Sequence, residues 1–164
     1  MKYLIVIASK HGATHEIGEA IASTLRGAGH EAQVIKPQDL TAQAKADALI
    51  IGSAIYMGNW MKTLISALPT VRSLGEQMPV WAFSSGPVGD PLLPKEDPAN
   101  VTAHIQSLQA LPDFRGHQLF AGAVIPEKLK TSEKLILKMV KAASGDYRQW
   151  NKIEQWATQI GSSN

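Results

Sequence analysis

Six consecutive residues, Ser9-Lys10-His11-Gly12-Ala13-Thr14, have the makings of an anion cradle. They stand between an apolar run, Tyr3-Leu4-Ile5-Val6-Ile7-Ala8, and a helical pattern that opens near Glu16. Gly12 lets the backbone turn sharply and approach a ligand, and the amides of the turn and of the first helical turn converge on one spot. Ser9 and Thr14 add hydroxyl donors, so a phosphate can be held there without a metal. The same residues also fit a plain strand-to-helix turn in which Thr14 does no more than cap the helix. G-x-x-x-x-G-K-[ST] is absent from the chain and G-x-G-x-x-G from this turn, which argues against a nucleoside triphosphatase and against a dinucleotide enzyme of the usual kind.

A cradle of this type needs a scaffold that gathers strand ends, and the order of elements supplies one. The patterning predicts strands at residues 2–8, 32–35, 47–53, 80–85 and 118–124, and helices at 14–28, about 60–68, 99–110 and 150–160. The first, third and fourth strands are unbroken apolar runs, as strands buried on both faces are. Strict alternation with short connections implies a parallel sheet with helices on both sides, in one domain spanning residues 1–164. Two stretches break the rhythm. One is the loop from Gly86 to Pro98, with four prolines; the other is an insertion from Pro126 to Gln149.

In an open parallel sheet, ligands bind beyond the carboxyl ends of the strands where strand order reverses. Three loops lie at that end. Beside Ser9–Thr14 comes Ser53-Ala54-Ile55-Tyr56-Met57-Gly58-Asn59-Trp60, a small-residue strand end in which Tyr56 and Trp60 can cover a flat ring. The third is Ser84-Ser85-Gly86-Pro87-Val88-Gly89, offering two hydroxyls and the amides around Gly86, Val88 and Gly89. A phosphate at the first loop and a planar heterocycle between the other two describe a mononucleotide such as FMN.

Composition narrows the classes further. A chain of 164 residues, 45% hydrophobic and 18% charged, is that of a globular protein with one core. Without cysteine it has no disulfide, thiolate iron–sulfur ligation or cysteine nucleophile. The five histidines show no metal-ligand spacing with carboxylates, His30 and His117 read as loop residues, and no metal site is expected. Trp81 and Trp156 read as core. A phosphoacceptor receiver domain is excluded, because Ala8-Ser9 and Gly52-Ser53 stand where it needs acidic residues. No run is long enough to span a membrane, Met1-Lys2 leads straight into a strand, and a cytoplasmic protein without nucleic-acid partners is the expectation. The charge is uneven: residues 126–152 carry seven Lys/Arg against three Asp/Glu, leaving the rest of this +2 chain at −2. Lys134, Lys138 and Lys141 fall on one helical face opposite Leu135, Ile136, Met139 and Val140, so residues 130–143 offer peripheral contact with an anionic inner-membrane face, although such helices are more often just solvated.

The [ST]-x-x-G-x-T turn, the segment Gly52-Ser53-Ala54-Ile55-Tyr56-Met57-Gly58 and the five-strand alternation resemble the flavodoxin family across essentially the whole chain. Gly52–Gly58, Ala121-Gly122-Ala123, Leu135-Ile136-Leu137-Lys138-Met139 and the Trp-rich last helix are similar to its menaquinone-dependent protoporphyrinogen oxidase branch. The resemblance implies an α/β three-layer sandwich with a five-stranded parallel sheet of order 2-1-3-4-5 and an insertion after strand 5. It implies non-covalent FMN with its phosphate on Ser9–Thr14 and its ring between the other two loops, and no catalytic side chain. It also implies an FMN-dependent oxidoreductase passing electrons between a small molecule and a quinone-type acceptor, with a quinone or a porphyrinogen as partner. The alternatives are a flavodoxin-type electron carrier without its own substrate, and a domain that has lost the cofactor. His11 stands where the family usually has threonine, and a pI near 8.9 differs from the acidic character of shuttle flavodoxins.

Overall fold

The sheet is built from strands whose side chains are apolar on both faces. In the computed structural model, which describes residues 1–86, 98–125, 127, 130–132, 134 and 145–163, β1 (Lys2–Ala8) lies between β2 (Glu31–Ile35) and β3 (Ala48–Tyr56). Beyond β3 come β5 (Val80–Ser85) and β6 (Phe114–Phe120), giving the order β2-β1-β3-β5-β6, all parallel. A short strand, β4 (Asn59–Trp60), folds back antiparallel on the end of β3. The five long strands therefore have the 2-1-3-4-5 order expected from the sequence, with β4 as an addition.

Strand alternation divides the core into two layers. Leu4, Val6, Ala8, Leu49 and Ile51 pack with residues of α2 (Lys62–Gly75) and α3 (Ala99–Leu108) on one face. Tyr3, Ile5, Ile7, Ile50 and Phe83 pack with α1 (Ala13–Gly27) and α4 (Trp150–Ser162) on the other. A three-layer sandwich follows directly from period-2 strands buried on both sides. Trp81 lies in this core, as expected, and Trp156 packs edge-on to Phe83 and Phe120.

Three elements depart from the sequence reading by three residues or more at an end. The third strand runs on to Tyr56, and what looked like a loop over 54–60 is a β-hairpin. The helix expected at 60–68 spans 62–75, crossing Pro69; its ring faces solvent while Leu64, Leu68, Val71 and Leu74 are buried, so packing on the other side carries the helix through a residue that usually ends one. The fifth strand lies at 114–120, not 118–124, because the chain leaves the sheet at Ala121. It then forms β7 (Ala123–Val124), paired with β8 (Gly145–Asp146) across the insertion. His117 consequently sits within a strand, not a loop. Of the lysine face, Lys134 is helical; Lys138 and Lys141 lie outside the described residues. Among the described residues, no helix is long and apolar enough to cross a membrane, and no group of three metal-capable side chains occurs.

Candidate functional site

Register places the three expected loops side by side. Ala8 is opposite Ser53, Ser53 opposite Ser84, and Ala54 opposite Ser85, so β1, β3 and β5 release their chains at the same edge of the sheet. The strand order also reverses here, between β1 and β3, which is where open α/β sheets bind ligands.

The first turn is shaped by its own residues. Gly12 adopts φ 91°, a left-handed conformation that favours glycine, and stands at the start of α1 without a side-chain cap. Its amide donates to Ser9 Oγ at 3.1 Å, and its carbonyl accepts from Glu16 N–H at 2.9 Å. The amides of Ala13, Thr14 and His15 lie ahead of the first intrahelical bond, where the helix dipole favours an anion. Thr14 is only 3% exposed, yet among the described residues its hydroxyl has no hydrogen-bond partner. A buried hydroxyl in that state calls for a partner beyond the described residues, and a bound ligand can supply one. It does not cap the helix.

The ring side is held by distant contacts. β3 turns into β4 through Met57 and Gly58, both at positive φ (50° and 75°), which makes a two-residue hairpin of the primed type. Met57 bears a side chain in a region that disfavours one, and that side chain is 90% exposed. Tyr56 is 40% exposed and lies under the Lys10 ammonium, 4.0 Å from the ring centroid, which joins the first loop to the second. Ala54 and Ile55 are half-buried, and Ile55 packs on the core.

Several hydroxyls and rings expected to face the ligand do other work. Ser53 Oγ donates to Ala54 O and accepts from Met61 N–H, both at 2.9 Å, closing the base of the hairpin. Trp60 does not cover a ring system: it is buried, its indole N–H donates to Ser84 Oγ at 2.9 Å, and His104 stacks on it. Ser84 Oγ also meets His117 Nε2 at 2.9 Å. Ser85 resembles Thr14 instead. It is 4% exposed, and among the described residues its hydroxyl has no partner. Gly86 follows at φ 100°, its amide bonded to Phe120 O at 3.0 Å; Val88 and Gly89 lie outside the described residues. Buried, unpartnered hydroxyls in the first and third loops, next to a helix start without a side-chain cap, fit an anionic ligand with an extended polar body.

Sequence reading missed one charged group beside this site. The Arg148 side chain, 4% exposed, makes a two-pronged contact with Asp146 (2.9 and 2.6 Å), reaches Glu16 at 2.6 Å and Ala13 O at 3.1 Å, and lies 4.5 Å over the Trp150 ring. Its hydrogen bonds hold the Asp146 carboxyl below the usual carboxylate range, and Asp146, then Glu16, push the guanidinium up. Asp-x-Arg spacing alone gives no hint of Glu16, 132 residues away.

One comparison with known proteins identifies a family, and another identifies the fold. The flavodoxin-domain profile matches residues 4–151. No curated protein sequence matches significantly. Among solved structures, oxidised flavodoxin 1 from Bacillus cereus is 19% identical, with a TM-score of 0.66 covering 100% of this chain and 99% of that one. A flavodoxin from the Archaea is 16% identical, with a TM-score of 0.64 and 98% and 96% covered. The rubredoxin oxygen:oxidoreductase of Desulfovibrio gigas is 13% identical, with a TM-score of 0.62; the match covers 98% of this chain but 35% of that one.

Proposed function

We propose that this chain, which belongs to the flavodoxin family and so takes FMN as its cofactor, passes electrons between a small-molecule substrate and a quinone-type acceptor, in the manner of the menaquinone-dependent protoporphyrinogen oxidases. The observation that carries the reading is the charge at the rim. Lys10 sits over Tyr56, on the hairpin proposed to border the flavin ring, where a shuttle that docks on protein partners usually presents acid. Residues 126–152 add further positive charge close by in sequence to β7 and β8. The segments Gly52–Gly58, Ala121–Ala123 and 135–139 support the branch by their resemblance to it.

In this reading the protein binds, orients and shields. Amides of Ala13, Thr14 and His15 and the Thr14 hydroxyl hold the phosphate, while Ser85 and the backbone of Tyr56–Gly58 and Gly86 face the ring system. FMN, once bound, supplies the one- and two-electron chemistry, and no side chain of the protein need exchange a proton with the substrate. Lys10 and the exposed Met57 stand where a second reactant approaches. The basic segment at 130–143 gives the protein peripheral contact with an anionic membrane that holds the quinone.

Multiple-turnover assays test this. FMN-loaded protein supplied with a porphyrinogen or a chemical reductant should reduce a soluble menaquinone analogue catalytically. Replacing Lys134, Lys138 and Lys141 by Gln should slow the reaction about 3- to 10-fold when anionic vesicles supply the quinone and leave the soluble assay unchanged. A holoprotein that reduces no quinone but exchanges electrons rapidly with a flavodoxin reductase is a carrier instead. That reading draws on the overall likeness to the flavodoxins themselves.

A further inference from the structure

The insertion returns to the domain at β8, and the first residues after it touch both halves of the site. Tyr147 N–H donates to Gly122 O at 3.2 Å. Gly122 in turn lies against Gly86, so closely that a Cβ at Gly122 would sit 3.2 Å from the Gly86 Cα. One residue further on, Arg148 grips the first turn of α1 through Ala13 O and Glu16 while holding Asp146 of β8. Residues 145–148 thus form a brace from the loop after β5 to the helix start after β1.

We propose that Arg148 is a positioning residue for the cofactor phosphate, setting α1 and its amides in place relative to the loop at Gly86. This rests on the assignment of the phosphate to Ser9–Thr14. Two physical arguments support it. Glu16 in the first helical turn suits the helix dipole but repels a phosphate bound at the same end, and the Arg148 guanidinium 2.6 Å from its carboxylate offsets that repulsion. The guanidinium is also over-determined: two carboxylates, a carbonyl and an indole face fix a planar group in one orientation, so it transmits position and not charge alone. Cofactor sites lose affinity quickly when their supporting contacts loosen, because binding then includes the cost of ordering the loop.

The test compares FMN with riboflavin, which lacks the phosphate. Arg148→Gln should raise the Kd for FMN by about 10- to 100-fold, as loss of a supporting contact does, and leave riboflavin within about twofold. Arg148→Lys, which keeps the charge but not the fork, should fall between Gln and wild type. Glu16→Gln separates position from charge. Loss of a negative charge near a phosphate would tighten FMN, whereas release of the helix from its brace should weaken it about threefold. The circular dichroism and Tm of the flavin-free variants establish folding, and Asp146→Asn, expected to weaken FMN in the same selective way, takes the place of Arg148→Gln if that variant does not fold. Wild-type protein that binds riboflavin as tightly as FMN overturns the phosphate assignment. Wild-type protein that prefers FMN, together with an Arg148→Gln variant of unchanged preference or a Glu16→Gln variant that binds FMN more tightly, overturns the role of Arg148 alone.

Discussion

The turn at residues 9–14, proposed to hold the phosphate, and the hairpin at 53–60 lie at the same end of the same sheet, but they use their buried hydroxyls differently. The bend of the first is set by the Gly12 amide on Ser9 Oγ, and Arg148 reaches its helix start through Ala13 O and Glu16. The second is tied together by hydroxyls and an indole: Ser53 with Met61, Trp60 with Ser84, and Ser84 with His117, 33 positions on. In the first, the buried Thr14 hydroxyl has no partner among the described residues. In the second, the Ser53 and Ser84 hydroxyls are spent on the protein.

The sharpest way to break that contrast is at Gly52, which begins the family motif and leads directly into Ser53. A Cβ there would lie 2.2 Å from the Phe83 ring and 2.9 Å from Ile7 Cδ1, and both side chains are buried. Gly52→Ala should therefore cost about 3 kcal/mol, or roughly 10 °C in Tm. Thermal denaturation of the flavin-free protein measures this. An unchanged Tm would mean that the ring-side strand end is not set by contacts across the sheet.

A paired substitution gives the next largest effect. Thr14→Val keeps the shape and removes a hydroxyl with no partner among the described residues, so the flavin-free Tm should hold while FMN binding weakens by about 1–3 kcal/mol. Ser84→Ala should do the reverse. The indole N–H of Trp60 loses its acceptor inside the core, stability falls by about 1–3 kcal/mol, and the preference for FMN over riboflavin stays as it was. Denaturant titrations and flavin titrations on both variants check it; an exchange of the two outcomes would invert the comparison.

Contacts within a few residues were legible in the sequence and distant ones were not. Six contiguous residues between a strand and a helix pattern were enough to read a tight turn at a helix start, because the Ser9–Gly12 bond and the left-handed Gly12 are local. A parallel sheet covered by helices was legible from doubly buried strands alternating with helices, while its strand order was legible only through the resemblance to the flavodoxin family. Trp60 was not. Its type and place suggested a ring cover, and only the approach of Ser84 and His104 from other elements shows it to be core. The helix expected at about 60–68 runs on through Pro69 to Gly75 because of tertiary packing that the sequence pattern does not show. Arg148 carried no local signal, its partners being Asp146 and a helix 132 residues upstream.

The smallest effect expected is a pH dependence, and it probes how tightly the ring-side packing is made. His104 lies parallel to Trp60, ring centroids 5.6 Å apart at 13°, and burial, then the nearby Arg72 charge, lowers its pKa from 6.5. The folded protein therefore binds this proton less readily than the unfolded chain does. Between the lowered value and about 6.5 the unfolded chain holds more protons, so stability rises with pH across that window, is complete above it, and is lost as pH falls through it. His104→Gln should flatten this part of the profile. The difference between wild-type and variant denaturation midpoints from pH 5 to 7.5 isolates it from the other histidines. A difference of opposite sign would mean that the indole face stabilises the imidazolium more than burial and Arg72 oppose it. In that case His104 would be a cation held by Trp60, and the ring side would depend on charge as the phosphate side does.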